Sequence, residues 1–408
     1  MRNSIACALL ASLVPIGIGI AGADPAIRPG EHIAIIGNTY ADQLRVHGYL
    51  ETLLLQRTQG NPVSIRNLGW GADTLSTRER PTNFPTEESA LLAHKTDVII
   101  TCFGMGESFA GKKGIEKFRN DLVNFITSHS GKKYNGRSEV RLILVSPIAH
   151  EDLGELTPGV NRRNRELLSY SRAMEKIASA QAIPCVNLYG PTLYLMEDDA
   201  APRLTVNGIH LNSYGYWAAS RILADALLPG EPSWLLQVDA QSGKAAARGA
   251  LISAVRPRDG GIRFTVEENS PPGLMPPTSG KVHDSLAGNR DRLIVENLAP
   301  GKYLLTIDGQ PVTTAGHENW AKGVTIDTSP AHRELEACRD RINDKNLQFT
   351  YSWKALNQVH IVGERKASPS GRSLPAEVIK FNELAIEREM NLKSAIKPRT
   401  REWLLLPE

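Results

Sequence analysis

His32-Ile33-Ala34-Ile35-Ile36-Gly37-Asn38-Thr39 decides the fold: an apolar run of strand length ends at a glycine turn and enters a helical pattern. From about Tyr40 to Arg57, Val46, Leu50, Leu53 and Leu54 return to one helical face. The same alternation recurs downstream. Strand-like runs at 62–66, 98–103, 140–145 and 185–189 are interleaved with amphipathic stretches at 115–126 and 161–180, and a helix at 213–228 closes the series. Strands alternating with helices build βαβ units on a mostly parallel sheet. Strands this apolar are those covered by helices on both faces. The expected class is therefore α/β, a three-layer, flavodoxin-like parallel sheet. Ligands of such sheets bind at the carboxyl ends of the strands. The turns at 37–39, 67–71, 104–107 and 147–151 should converge there with His210, which stands just before the last helix.

Outside this region the character changes. Arg2, an apolar stretch at 5–20 and Ala21-Gly22-Ala23 read as a secretory signal peptide spanning 1–23, so the mature chain is expected to be periplasmic or secreted. No later run is long enough to span a membrane. At 408 residues the chain exceeds one ordinary core. The expected division is 24–230 for the α/β domain, 231–330 for a β-rich module and 331–408 for a helical tail. Prolines at 232, 257, 271, 272, 276 and 277 interrupt the middle part, β-like runs stand at 292–295 and 303–307, and Asp308-Gly309 suits a hairpin turn. The stretch 376–397 reads as a charged amphipathic helix with Val378, Phe381 and Ala385 on one face.

A formal net charge of only +3, without a basic block, argues against nucleic acid as the partner. Beyond Cys7 in the leader, Cys102, Cys185 and Cys338 are an odd set with no zinc spacing, so neither a disulfide framework nor a metal is expected from them. Gly106 to Lys113 follows the G-x-x-x-x-G-K pattern of a phosphate loop, but Lys113 stands where Ser or Thr must hold Mg²⁺. His150-Glu151-Asp152 lacks a second histidine at ligand spacing. No cofactor is expected.

A third arrangement is more specific: a hydroxyl at the first turn, amide donors from the next two turns, and a late histidine. Together these are a nucleophile, an oxyanion site and a base. Through Gly37-Asn38-Thr39, Asn67-x-Gly69, Phe103-Gly104-Met105-Gly106-Glu107-Ser108 and Asn207-Gly208-Ile209-His210-Leu211-Asn212, the segment 31–228 resembles the SGNH hydrolases, the GDSL esterase/lipase family. The resemblance implies an ester hydrolase in which Thr39 takes the place of the nucleophilic serine and His210 is retained. Asn207 stands where the family carries the orienting carboxylate. The oxyanion positions fall on Ala72 and Gly106, with Asn38 beside the nucleophile. Trp70, Glu107 and His150 are the candidate binding residues, and Glu107, Asp73 and Glu151 the acids whose placement would let one of them replace the missing carboxylate. The implied ligand is a small-molecule or carbohydrate O-acyl ester. Plainer readings stand beside these: Thr39 as a helix-capping hydroxyl, His210 as a structural residue, and Trp70 as a core aromatic. A non-catalytic binding protein with the same cleft is the alternative function.

Overall fold

The computed structural model describes residues 25–78, 80, 85–230, 234–268, 272–277, 282–283, 286, 291–354, 367–395 and 399–408. The signal-peptide expectation falls outside them.

Five strands, β1 (His32–Gly37), β2 (Ser64–Asn67), β3 (Val98–Cys102), β4 (Arg141–Val145) and β5 (Cys185–Val186), form a parallel sheet in the order β2-β1-β3-β4-β5. Strand alternation explains the layers. Ile33 and Ile35 enter one core with residues of α1 (Thr39–His47), α2 (Tyr49–Arg57) and α7 (Ser213–Leu227). Ala34 and Ile36 enter the opposite core with α4 (Ile115–His129) and α5 (Val160–Ala180). The sheet is thus covered on both faces, as its apolar strands require.

Two local departures have clear causes. The helix expected over 40–57 is broken at Gly48, which adopts φ +67°. A Cβ at that position would lie 2.3 Å from Asn343 Oδ1, so the bend also admits the C-terminal arm. Helix α3 (Glu87–His94), capped by Thr86, buries only Leu91 among its own residues, too little periodicity to read in advance. Helix α6 (Tyr189–Met196) follows β5.

The β-rich module contains β6 (Leu235–Asp239), β7 (Ala245–Arg248), β8 (Ala250–Arg258), β9 (Gly261–Glu268), β10 (Arg292–Glu296), β11 (Lys302–Ile307), β12 (Gln310–Gly316), α8 (His317–Lys322) and β13 (Val324–Thr325). Asp308 and Gly309 both take positive φ, 50° and 73°, and turn β11 into β12 as a tight hairpin does. The tail begins as the helices α9 (Pro330–Trp353) and α10 (Pro369–Ala395), where Ala385 and Leu392 are buried. It does not stay helical: Thr400–Pro407 is a strand, β14, that sits inside the sheet β12-β11-β14-β9-β8. Its alternating buried residues Arg401, Trp403 and Leu405 carry the period of two that decides for strand.

Helix α9 docks on the α/β layer. Leu335, Cys338 and Ile342 join the core of Ile33 and Leu54. Lys345, with no exposed surface, places Nζ 2.5 Å from Glu51 Oε1 and 3.0 Å from the Ile65 carbonyl. Arg66 and Glu389 add a second ion pair at 2.9 Å, which helps hold the Glu389 carboxyl down at about 2 despite burial. Among the described residues no helix is long and apolar enough to cross a membrane.

Candidate functional site

The first turn is pressed against β3. A Cβ on Gly37, at φ +153°, would sit 2.4 Å from the Cys102 carbonyl, so only glycine fits. Asn38 caps α1, its Oδ1 accepting from Tyr40 N at 3.0 Å. Thr39 follows at the first helical position. Its hydroxyl accepts a hydrogen bond from the Ala72 N–H at 3.1 Å. The capping reading belongs to Asn38, and Thr39 is left facing the second turn.

That second turn is held from several sides. Asn67 Oδ1 takes the Gly69 N–H at 2.9 Å, and Trp70 N–H donates to the Gly37 carbonyl at 2.9 Å. Ala72 adopts φ +67°, a left-handed conformation that usually falls to glycine. Alanine therefore keeps the backbone donor aimed at Thr39. Trp70, half-buried, is neither a pure core aromatic nor an open platform: the Arg80 guanidinium lies 4.4 Å over its ring, the Lys354 ammonium 4.9 Å over it, and Trp353 meets it edge-on at 6.4 Å.

At the third turn Glu107 accepts from Gly104 N at 2.8 Å and from Leu75 N at 2.9 Å, tying this turn to the second. Burial pushes its carboxyl upward while those N–H groups pull it back. Gly106 has no side chain to donate. A Cβ there would meet Thr74 Cγ2 at 3.1 Å, so the place of a side-chain donor is partly taken.

The remaining turn braces the histidine loop. Glu151, buried, accepts from Leu204 N at 2.9 Å, Thr205 N at 2.7 Å and Thr205 Oγ1 at 2.5 Å. His150 packs its ring on Gly208, where a Cβ would lie 2.5 Å from Nε2. Burial, then Arg163, lowers its pKa, and its Nδ1 is buried without a partner. The Gly106–Lys113 stretch forms a 3-10 turn, Glu107–Gly114, with Gly111 outside helical geometry. It is not the helix N-terminus a phosphate loop needs.

His210 and Asn207 are exposed on the loop joined by the Thr205–Leu211 bridge. Asn207 Oδ1 accepts from His210 N at 2.9 Å and Ile209 N at 3.3 Å. Two backbone donors thereby fix which end of the amide is oxygen. Its Nδ2 is then 2.9 Å from His210 Nδ1, nearer than Oδ1 at 3.2 Å. In the shorter contact the amide nitrogen donates to Nδ1, which puts the neutral ring's proton on Nε2; the Oδ1 contact at 3.2 Å corresponds to the other tautomer. A triad base needs the opposite arrangement, with Nε2 free to take the hydroxyl proton. Among the described residues no carboxylate bonds His210. Asp73 is occupied by Arg80 at 2.6 and 3.0 Å, and Glu107 and Glu151 by the backbone. Nor does a hydrogen bond join Thr39 to His210.

Two bonded pairs stand on these turns and loops, Ala72 with Thr39 and Asn207 with His210, while Asn38, Glu107 and His150 hold the segments around them. Sequence reasoning missed Arg80, Trp353 and Lys354. Nothing near them in the chain signals a cleft; only the docking of α9 brings the last two there.

Among solved structures, a gut microbial diltiazem-metabolizing enzyme aligns over 94% of this chain and 98% of its own, with TM-score 0.69 and 16% identity. A catalytic mutant of Axe2, an acetylxylan esterase from Geobacillus stearothermophilus, aligns over 50% of this chain and 96% of its own, with TM-score 0.39 and 16% identity. No family model and no curated protein matches the sequence. The first likeness extends over the β-rich module and the arm as well as the sheet. The chain has an SGNH hydrolase-like fold.

Proposed function

We propose that this protein is an O-acyl ester hydrolase of low turnover, with Thr39 Oγ1 as nucleophile and the backbone N–H groups of Ala72 and Thr39 as oxyanion donors. The observation that carries this reading is the 3.1 Å bond from Ala72 N–H to Thr39 Oγ1 at the carboxyl edge of the parallel sheet. A hydroxyl there, with an amide already aimed at it, is the core of an acyl-transfer site. Low turnover follows from the rest. The β-methyl of Thr39 crowds attack. The Gly106 position offers no side-chain donor, a loss of about 10²–10³ in rate where measured elsewhere. Asn207, with Nδ2 nearest to His210 Nδ1, favours the wrong imidazole tautomer, worth about 10⁴ in the serine-protease example. The substrate class is a small ester, with a carbohydrate O-acyl ester favoured by the export expected of the chain. The likeness to a gut microbial diltiazem-metabolizing enzyme supports a small-molecule ligand.

One observation favours a second reading. The 2.9 Å contact of Asn207 Nδ2 with Nδ1 leaves His210 an exposed Nε2–H donor, suited to holding an acyl oxygen without hydrolysing the ester. Both readings are tested by incubating the purified chain with short acyl esters and acetylated oligosaccharides, beside Thr39→Ala and His210→Ala. Turnover lost in both variants supports the hydrolase. Turnover kept in both places the chemistry elsewhere and defeats it. No turnover in the parent, with saturable ester binding lost in His210→Ala, supports the second reading.

A further inference from the structure

We infer that Lys354 and Trp353, at the end of α9, are positioning residues for the donor turn Trp70–Asp73, so that the C-terminal arm is part of the ester site. The inference rests on the reading of Ala72 N–H as an oxyanion donor. It starts from the backbone: an alanine at φ +67° holds that conformation only where its surroundings over-determine it. On one side of Ala72, Asp73 is clamped by Arg80 through two bonds of 2.6 and 3.0 Å. On the other, the Trp70 ring is held by the Arg80 guanidinium at 4.4 Å, the Lys354 ammonium at 4.9 Å and the edge of Trp353 at 6.4 Å and 76°. A cation over an indole ring is the strongest of these aromatic contacts, and more so when partly removed from water.

Lys354 does more than cover the ring. Its Nζ also lies 2.5 Å from Asp42 Oδ1, on the first turn of α1, where Arg45 Nε shares the same oxygen at 2.8 Å. Asp42 stands one helical turn after Thr39. A single ammonium therefore links the helix that carries the hydroxyl to the turn that carries its donor. The Ala72-to-Thr39 bond spans the same two elements. Displacing the ammonium should loosen that bond before it disturbs the arm, because the arm is anchored separately by Lys345 on Glu51 and by Leu335, Cys338 and Ile342.

The test uses the full chain and three variants, Lys354→Met, Lys354→Arg and Trp353→Leu, with amide exchange followed across the molecule and ester kinetics measured in parallel. In Lys354→Met, amides of residues 69–74 are expected to exchange about tenfold faster while α2 and the first turns of α9 stay within about twofold. Wherever the parent turns over an ester, kcat should fall about tenfold with KM nearly unchanged, the signature of a displaced transition-state contact. Lys354→Arg should restore most of both effects, and Trp353→Leu should move the same amides in the same direction. Unchanged exchange in residues 69–74, or equal acceleration along α9 and α2, would overturn the inference, the latter by showing that the arm merely undocks. If the parent hydrolyses nothing, the ester reading fails, while the exchange pattern still decides the positioning role.

Discussion

Thr39 bonds the Ala72 N–H and Asn207 bonds His210, on separate turns and loops, and no hydrogen bond joins the two pairs. Between the β-rich module and the arm, Ser329, His332 and Asp291 are joined: Ser329 Oγ lies 2.7 Å from His332 Nδ1, and His332 Nε2 lies 3.3 Å from Asp291 Oδ2. Yet all three are buried. Ser329 is the N-cap of α9, accepting from His332 N, and the His332 ring lies between its hydroxyl and the Asp291 carboxylate. The connected set is a cap on a helix. The disconnected set is the one a substrate can reach. Residue types alone do not make a site; access at the strand ends and the tautomer of one imidazole separate the two.

The largest expected effect lies in the cleft. Asn207→Asp replaces the donor Nδ2 by an acceptor and frees Nε2, and should raise kcat for short acyl esters by about 10²–10⁴. Steady-state kinetics on the pure variant check this, and an unchanged or lower rate breaks the contrast. His332→Ala should do the reverse, costing roughly 3–5 kcal/mol of stability in denaturant titrations because it takes the imidazole from a buried carboxylate that keeps the Gly273 N–H, with ester rates unaffected. A shared loss of activity and stability would show that the two clusters are not independent.

Proton linkage sharpens the comparison further. Glu268, at the end of β9, is buried near Asp291, and burial raises its carboxyl from 4.5 to about 7, against the pull of Arg401 and with a push from Asp291, Glu334 and Asp308. The folded form therefore binds the extra proton. This group's stabilising share is full below pH 4.5 and is lost as pH rises through about 7, by at most about 3 kcal/mol. Urea midpoints measured across that range should fall with pH in the parent and flatten in Glu268→Gln. A parallel fall in both excludes this cluster as the source. The smallest effect is that of the cap itself: Ser329→Ala should cost about 1 kcal/mol, read as a small shift of the urea midpoint.

The sheet was legible because its apolar strands and glycine turns repeat in order, and Gly37 is required by the carbonyl it touches. What the sequence did not show depends on contacts distant along the chain. Lys354 reaches Trp70 only through the docking of α9, Gly48 bends the first helix to admit that arm, and Trp403 returns to a sheet begun far upstream. Nor does a string of letters say which atom of Asn207 faces His210. Asparagine and aspartate are nearly the same shape, and the two backbone amides that orient the side chain exist only once the loop is folded.

That orientation is also where the account is most directly tested. Nitrogen-15 spectroscopy of the His210 ring in the intact protein, assigned against His210→Ala and recorded at a pH where the ring is neutral, reports which nitrogen carries the proton. The account predicts Nε2–H in the parent and a shift to Nδ1–H in Asn207→Asp. A proton on Nδ1 in the parent would contradict it, and would return His210 to the role of a competent base.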